Sequence, residues 1–184
     1  MFLYILTLVF LLFFMGYIKF NTNDEVNYIK SSLDNYSYLV RKEPDSIQAA
    51  NTLAKIRLNL VKLCDYLKEE RKDDEAVRRL IRNFRPYSIS ESSPKSIYTS
   101  YSVNKGQEIV FCLRSKETNK IHDMNLLMYV ALHELAHVMS KTTGHGEEFR
   151  RNFSFLIDNA VKLGLYKDTD FSINPLEYCG IIVG

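Results

Sequence analysis

Two histidines four residues apart with a glutamate between them, His133, Glu134 and His137 in H-E-L-A-H, are the residues of this sequence best suited to chemistry. On a helix, positions four apart lie one turn above each other on the same face, so both imidazoles can reach one metal ion. Glu134 lies at the same end of the site and is not needed as a ligand. Its carboxylate can take a proton from a water held by the metal. With only 4 histidines in 184 residues, chance supplies about 0.006 such patterns per chain, so coincidence is a weak competitor. The bland alternative is a core helix whose buried histidines and glutamate each find a separate hydrogen-bond partner.

A hydrolytic zinc site takes three protein ligands and keeps one position for water. His145 is the third candidate, in T-T-G-H-G-E-E-F, where Gly144 and Gly146 allow the chain to end one helix and start another. Glu147 or Glu148 is the rival, since sites of two histidines and a glutamate exist. His145 is favoured because it is pinned at the turn, whereas the two glutamates suit the acid-favouring first turn of the next helix. His122 precedes the motif helix and reads as structural or solvated. Cys179 could in principle close the fourth position, although no spacing supports it.

H-E-L-A-H, a short gap, then G-H-G-x-x-F with a helix behind it resembles the WLM and SprT-like groups of small zinc metallopeptidases. In those families the third ligand is a histidine shortly after the motif helix, commonly followed four residues on by an aromatic; here that pair is His145 and Phe149. The resemblance covers roughly residues 97–184, and compact WLM-like proteins also occur in large DNA viruses. It implies a zincin-like metallopeptidase acting on protein or peptide substrates. The Zn²⁺ ligands would be His133, His137 and His145, and Glu134 would serve as general base and then general acid. A strand beside the motif helix would offer its edge to the extended substrate.

Several elements must position these residues. Residues 46–70 repeat apolar side chains at three-four spacing from Ala50 to Leu67, which predicts a long amphipathic helix entered at Asp45 or Ser46. A shorter helix is expected over 73–84. It carries Arg78, Arg79 and Arg82, with Arg85 just beyond, read either as a phosphate-binding patch or as an ordinary solvated face. The 24 basic and 22 acidic residues nearly cancel, so nothing marks a dedicated nucleic-acid binder. Strands are expected over 36–41, 97–103 and 108–113, the last two joined by a turn at Asn104-Lys-Gly-Gln. The motif helix starts at Asp123 or Asn125, and a final amphipathic helix runs over 147–163, ended by Gly164. Tyr98 and Tyr101 on the strand, or Tyr166 and Tyr178 near the C-terminus, are candidates to assist at the site. Residues 167–184 carry no clear pattern.

Residues 1–18 contain no charged side chain and at about 1.5 Å per residue are just long enough for a bilayer core. They predict a transmembrane anchor, with Lys19, Lys30, Arg41 and Lys42 favouring a cytoplasmic catalytic side. Three cysteines, Cys64, Cys112 and Cys179, without metal-type spacing agree with a reducing compartment. The expected organisation is an anchor over 1–20, a polar stalk over 21–45 and one domain over 46–184. The fold class is α+β: an N-terminal transmembrane helix, then a zincin-like domain of helices packed on a small, mostly antiparallel sheet.

Overall fold

The computed structural model describes residues 25–183. Its longest element is helix α1 (Ser46–Glu70), whose buried stripe runs through Ala49, Ala50, Leu53, Ile56, Leu60, Leu63 and Leu67. At about 1.5 Å per residue it is roughly 37 Å long and serves as the spine of the domain. Asp45 stands at its N-cap without capping it. The carboxylate turns instead to Arg114, at 2.7 Å.

Helix α2 (Glu75–Asn83) is capped by Asp74, which accepts from Ala76 N and Val77 N. Helix α3 (Met124–Met139) carries the motif; Asp123 caps it by accepting from Asn125 N, and its interior is apolar on most sides, as a buried helix requires. Helix α4 (Glu147–Lys162) starts at Gly146 and buries Phe149, Asn152, Leu156 and Ala160.

Three small sheets accompany the helices. Strands β1 (Val26–Lys30) and β2 (Ser37–Arg41) form an antiparallel hairpin. Strands β3 (Ile89–Glu91), β4 (Tyr101–Val103) and β5 (Glu108–Phe111) are ordered β3-β5-β4, with β3 parallel and β4 antiparallel to β5. Strands β6 (Leu176–Tyr178) and β7 (Ile181–Val183) form a C-terminal antiparallel hairpin. The β4–β5 turn has positive φ at Asn104, Lys105 and Gly106. It packs so closely on α3 that a Cβ at Gly106 would stand 2.7 Å from Val138 Cγ1. Glycine is therefore required there for approach as well as for conformation.

The structure corrects several expectations. The stretch read as a stalk holds the β1–β2 hairpin, which packs on α1 and places Tyr38 and Val40 fully inside the core. Tyr38 can be buried because its hydroxyl accepts from Arg57 Nε at 2.8 Å and donates to Asp34, whose carboxylate also pairs with Arg57. The strand expected over 97–103 shrinks to three residues. The unassigned C-terminal stretch contains the β6–β7 hairpin.

The anchor expected over 1–20 lies outside the described residues. Among the described residues no helix is long and apolar enough to cross a membrane. Helix α1 is long enough, but its solvent face carries Lys55, Lys62, Asp65 and Lys68. The expected transmembrane helix at the head of the fold, and the single-pass membrane localisation built on it, are corrected accordingly. Among the described residues the architecture is α+β, four helices on small sheets.

Candidate metal centre

His133 and His137 project from one face of α3, and His145 reaches them from the connection between α3 and α4. Their ring nitrogens lie within 4.8 Å of one another. His133 Nε2 and His145 Nε2 are 3.0 Å apart. Two nitrogens bound tetrahedrally to one zinc at about 2.0–2.1 Å stand about 3.3 Å apart, so the trio fits a metal with little movement. Phe149, one turn into α4, places its ring 4.8, 4.4 and 4.7 Å from the three imidazole rings and closes the floor beneath them. Burial, then the neighbouring His137 and His145, pushes His133 down to about 4 in the metal-free protein. Burial, His145 and Lys105 push His137 down to about 4. Both rings are therefore neutral at pH 7, the state in which imidazole can ligate.

Glu134 is 5% exposed. Burial pushes its carboxyl up to about 7, with the Ser102 backbone N–H working in the opposite direction. A carboxyl with this poise can both accept and return a proton near neutral pH. The site opens into a cleft of about 830 Å³ between α3, the β4 strand with its preceding residues, the His145 connection and the β6–β7 hairpin.

The rival ligands are engaged elsewhere. Glu147 is exposed and pairs with Arg151 at 3.6 Å. Glu148 accepts from Lys141 N at 3.0 Å, Thr142 N at 3.1 Å and Thr142 Oγ1 at 3.0 Å. These bonds, the backbone ones first, hold its carboxyl down to about 2. Cys179, expected to be a free thiol in a reducing compartment, is instead buried in a disulfide with Cys112, which corrects the reading of the cysteines. Cys64 is free and buried. His122 is structural: its ring lies 5.1 Å from that of Tyr178, its Nε2 accepts from Cys179 N at 3.4 Å, and burial lowers its pKa.

Tyr101 and Tyr178 line the cleft. The Tyr178 hydroxyl is taken up by Ser100 Oγ. Tyr98 is exposed and rests edge-on against Tyr101, while Tyr166 is buried and turns its hydroxyl toward Thr169 O. Of the four arginines, Arg78, Arg82 and Arg85 are exposed. Arg78 and Arg85 reach backbone carbonyls of Lys72 and Arg82, and Arg79 turns inward.

Arg79 belongs to a support that sequence reasoning did not find. Its Nη1 donates to Met139 O at 2.6 Å and stands 3.6 Å from Glu148. Lys105 Nζ, from the β4–β5 turn, donates to Ser140 O at 3.1 Å and Thr142 O at 2.5 Å. Ser140 Oγ donates to Ala136 O and accepts from Asn152 Nδ2. Cations at the C-terminal carbonyls of α3 and an anion on the next two N–H groups fix the segment that carries His145. No local spacing announces these partners.

Known proteins place this geometry in a lineage. The structure is similar to that of Wss1 from Saccharomyces cerevisiae, with a TM-score of 0.51 and 22% identity, covering 68% of this chain and 89% of that one. This is a likeness of fold. Uncharacterized protein R325 of Acanthamoeba polyphaga mimivirus is 40% identical over 183 residues, spanning 97% of this chain and 91% of the relative. Uncharacterized protein 136R of Invertebrate iridescent virus 6 is 40% identical over 72 residues, 38% of this chain and 40% of the relative. Both fit the expectation of a large-DNA-virus member. The WLM domain profile matches residues 64–172, which takes in the motif helix, the His145 connection and α4. The chain belongs to the WLM domain family.

Proposed function

We propose that this protein is a zinc-dependent metallopeptidase. The observation that carries the proposal is the convergence of three imidazoles beside a buried carboxyl in an open cleft. His133, His137 and His145 would hold Zn²⁺, and among the described residues no fourth protein ligand joins them. Bound zinc would supply a Lewis acid for the scissile carbonyl and lower the pKa of water toward about 7.

The chain's own residues do the rest. Strand β4 is the outer strand of its sheet, so its free edge can align an extended substrate backbone through main-chain hydrogen bonds. Glu134 accepts the proton of the attacking water and delivers it to the leaving amine. Neutral His133 and His137 keep their lone pairs for the metal, and Phe149 excludes water from beneath the three rings.

Glu134→Gln tests the reading. The variant should keep the metal content of the parent and lose peptide cleavage by at least about a hundredfold, the scale of a general-base contribution. Full cleavage by that variant would remove Glu134 from the mechanism. Metal content is read on the same samples, so loss of the metal and loss of the base are told apart.

A further inference from the structure

Part of the cleft wall is the β6–β7 hairpin, whose strand β7 is wholly aliphatic. Ile181 and Ile182 line the cleft while remaining 51% and 67% exposed. Ile181 pairs across the hairpin with Tyr178, which also lines the cleft, and Val183 pairs with Leu176. The hairpin turns on two residues, Cys179 and Gly180, both at positive φ. This turn is pinned to the body by the Cys112–Cys179 disulfide, and beside it the Tyr178 ring lies against His122.

Aliphatic side chains left in water beside a reaction centre gain free energy only when something apolar covers them. The charges in the cleft favour the same class of occupant. The lining holds two formally charged side chains, Lys105 and Glu134. Lys105 is engaged with the carbonyls of Ser140 and Thr142, and Glu134 is buried beside the histidines. Neither is free to pair with a charged substrate side chain, which would lose its water without compensation.

We propose that the site takes extended polypeptide segments carrying aliphatic or aromatic side chains next to the scissile bond, as unfolded chains do, and that Ile181, on the same hairpin face as Tyr178, sets this preference. The proposal deepens the peptidase reading and rests on it. Ile181 is a specificity-determining residue that touches substrate, not a catalytic one.

The test measures binding of fluorescent peptides to the zinc-loaded Glu134→Gln protein, so that no cleavage is needed. Two peptides of one sequence are compared, one with leucine and one with glutamate at the central positions. The leucine peptide should bind at least about tenfold tighter, since covering even part of a leucine side chain is worth that factor. Ile181→Leu should preserve the preference and Ile181→Asp should abolish it. Ile181→Lys should turn it toward the glutamate peptide, a gain that a misfolded protein would not show. Equal binding of the two peptides by the parent, or a preference unmoved by Asp and Lys at position 181, overturns the proposal. Cleavage of the leucine peptide by the Glu134 protein is read separately. Preference without cleavage overturns the peptidase reading alone, and Glu134-dependent cleavage without preference overturns the apolar wall alone.

Discussion

Replacing Glu148 by alanine separates two ways in which a glutamate beside His145 can matter. As a ligand, its loss would equal the loss of a histidine. As the residue that holds the connection between α3 and α4, its loss should be smaller and indirect. Glu148 accepts three hydrogen bonds from Lys141 and Thr142 and faces Arg79 at 3.6 Å. A hydrogen bond to a charged group nets about 1.5–3 kcal/mol when buried, and exposure at this surface reduces that. A net loss of about 1–2 kcal/mol in the order of the segment is the working estimate, equivalent to about five- to thirtyfold weaker metal binding. His145→Ala removes a ligand outright and should weaken binding by more than about a hundredfold. Competition with a chromophoric zinc chelator at pH 7 measures both variants. Arg79→Ala should resemble Glu148→Ala, and the double variant should fall short of the sum because the two share one segment. If Glu148→Ala matched His145→Ala, Glu148 would be a ligand. If it bound zinc as the parent does, the support assigned to the segment would be wrong.

Acidity should act on the histidines before it acts on Glu148, whose carboxyl is held down to about 2 and stays charged wherever imidazoles titrate. His133 and His137, pushed down to about 4 when folded, regain ordinary values near 6.5 when unfolded. At these two sites the unfolded chain then binds more protons between those limits, which outweighs the opposite contribution of Glu134, raised to about 7, so the metal-free protein should lose stability as pH falls from about 6.5 toward 4. Urea midpoints at pH 7 and pH 5 check this, and equal midpoints would contradict it. Arg114, 1% exposed, bonds buried Glu91 at 2.9 Å and Asp45 at 2.7 Å. Arg114→Ala leaves the buried Glu91 carboxylate to Arg41 alone and should cost up to about 3–5 kcal/mol by urea unfolding, with a smaller loss when Glu91→Gln is added. Cys112 and Cys179 are 67 residues apart, so Cys179→Ser should cost up to about 4 kcal/mol of loop-closure stabilisation under non-reducing conditions. The same substitution should change nothing in protein kept reduced.

The motif part of the candidate metal centre was legible because it obeys a local rule. His133, Glu134 and His137 follow the helical repeat, and the apolar residues around them fix which face of α3 is buried. The preference for His145 over the glutamates was legible for a related reason: acids after a glycine turn belong to a helix start, where Glu147 and Glu148 stand. Strand β2 was legible over 36–41, but neither its pairing with Val26–Lys30 nor the burial of Tyr38 was, since that burial draws on Arg57, 19 positions away. Strand β3 is three residues long and ends in Glu91, a residue that belongs in a core only when Arg114 and Arg41 surround it. The apolar run over 1–18 invited a membrane reading through its length, its lack of charge and its basic flank; it lies outside the described residues, among which no helix is long and apolar enough to cross a membrane.

The support of His145 lies furthest from local rules, and its form has a physical reason. A helix ends with carbonyls that need donors, and α3 ends beside the third histidine, where solvent would otherwise satisfy them and leave the segment loose. Arg79 from α2 and Lys105 from the β4–β5 turn occupy the Met139, Ser140 and Thr142 carbonyls, while Glu148 from α4 takes the two N–H groups that follow. Two elements distant in sequence and the start of the next helix thus converge on four residues, each through a long side chain whose reach the primary structure does not specify. Lys105 also sits on the turn that terminates β4. The strand edge proposed to take substrate and the loop that carries His145 are therefore joined through one ammonium group, so a displacement of either is felt at the other.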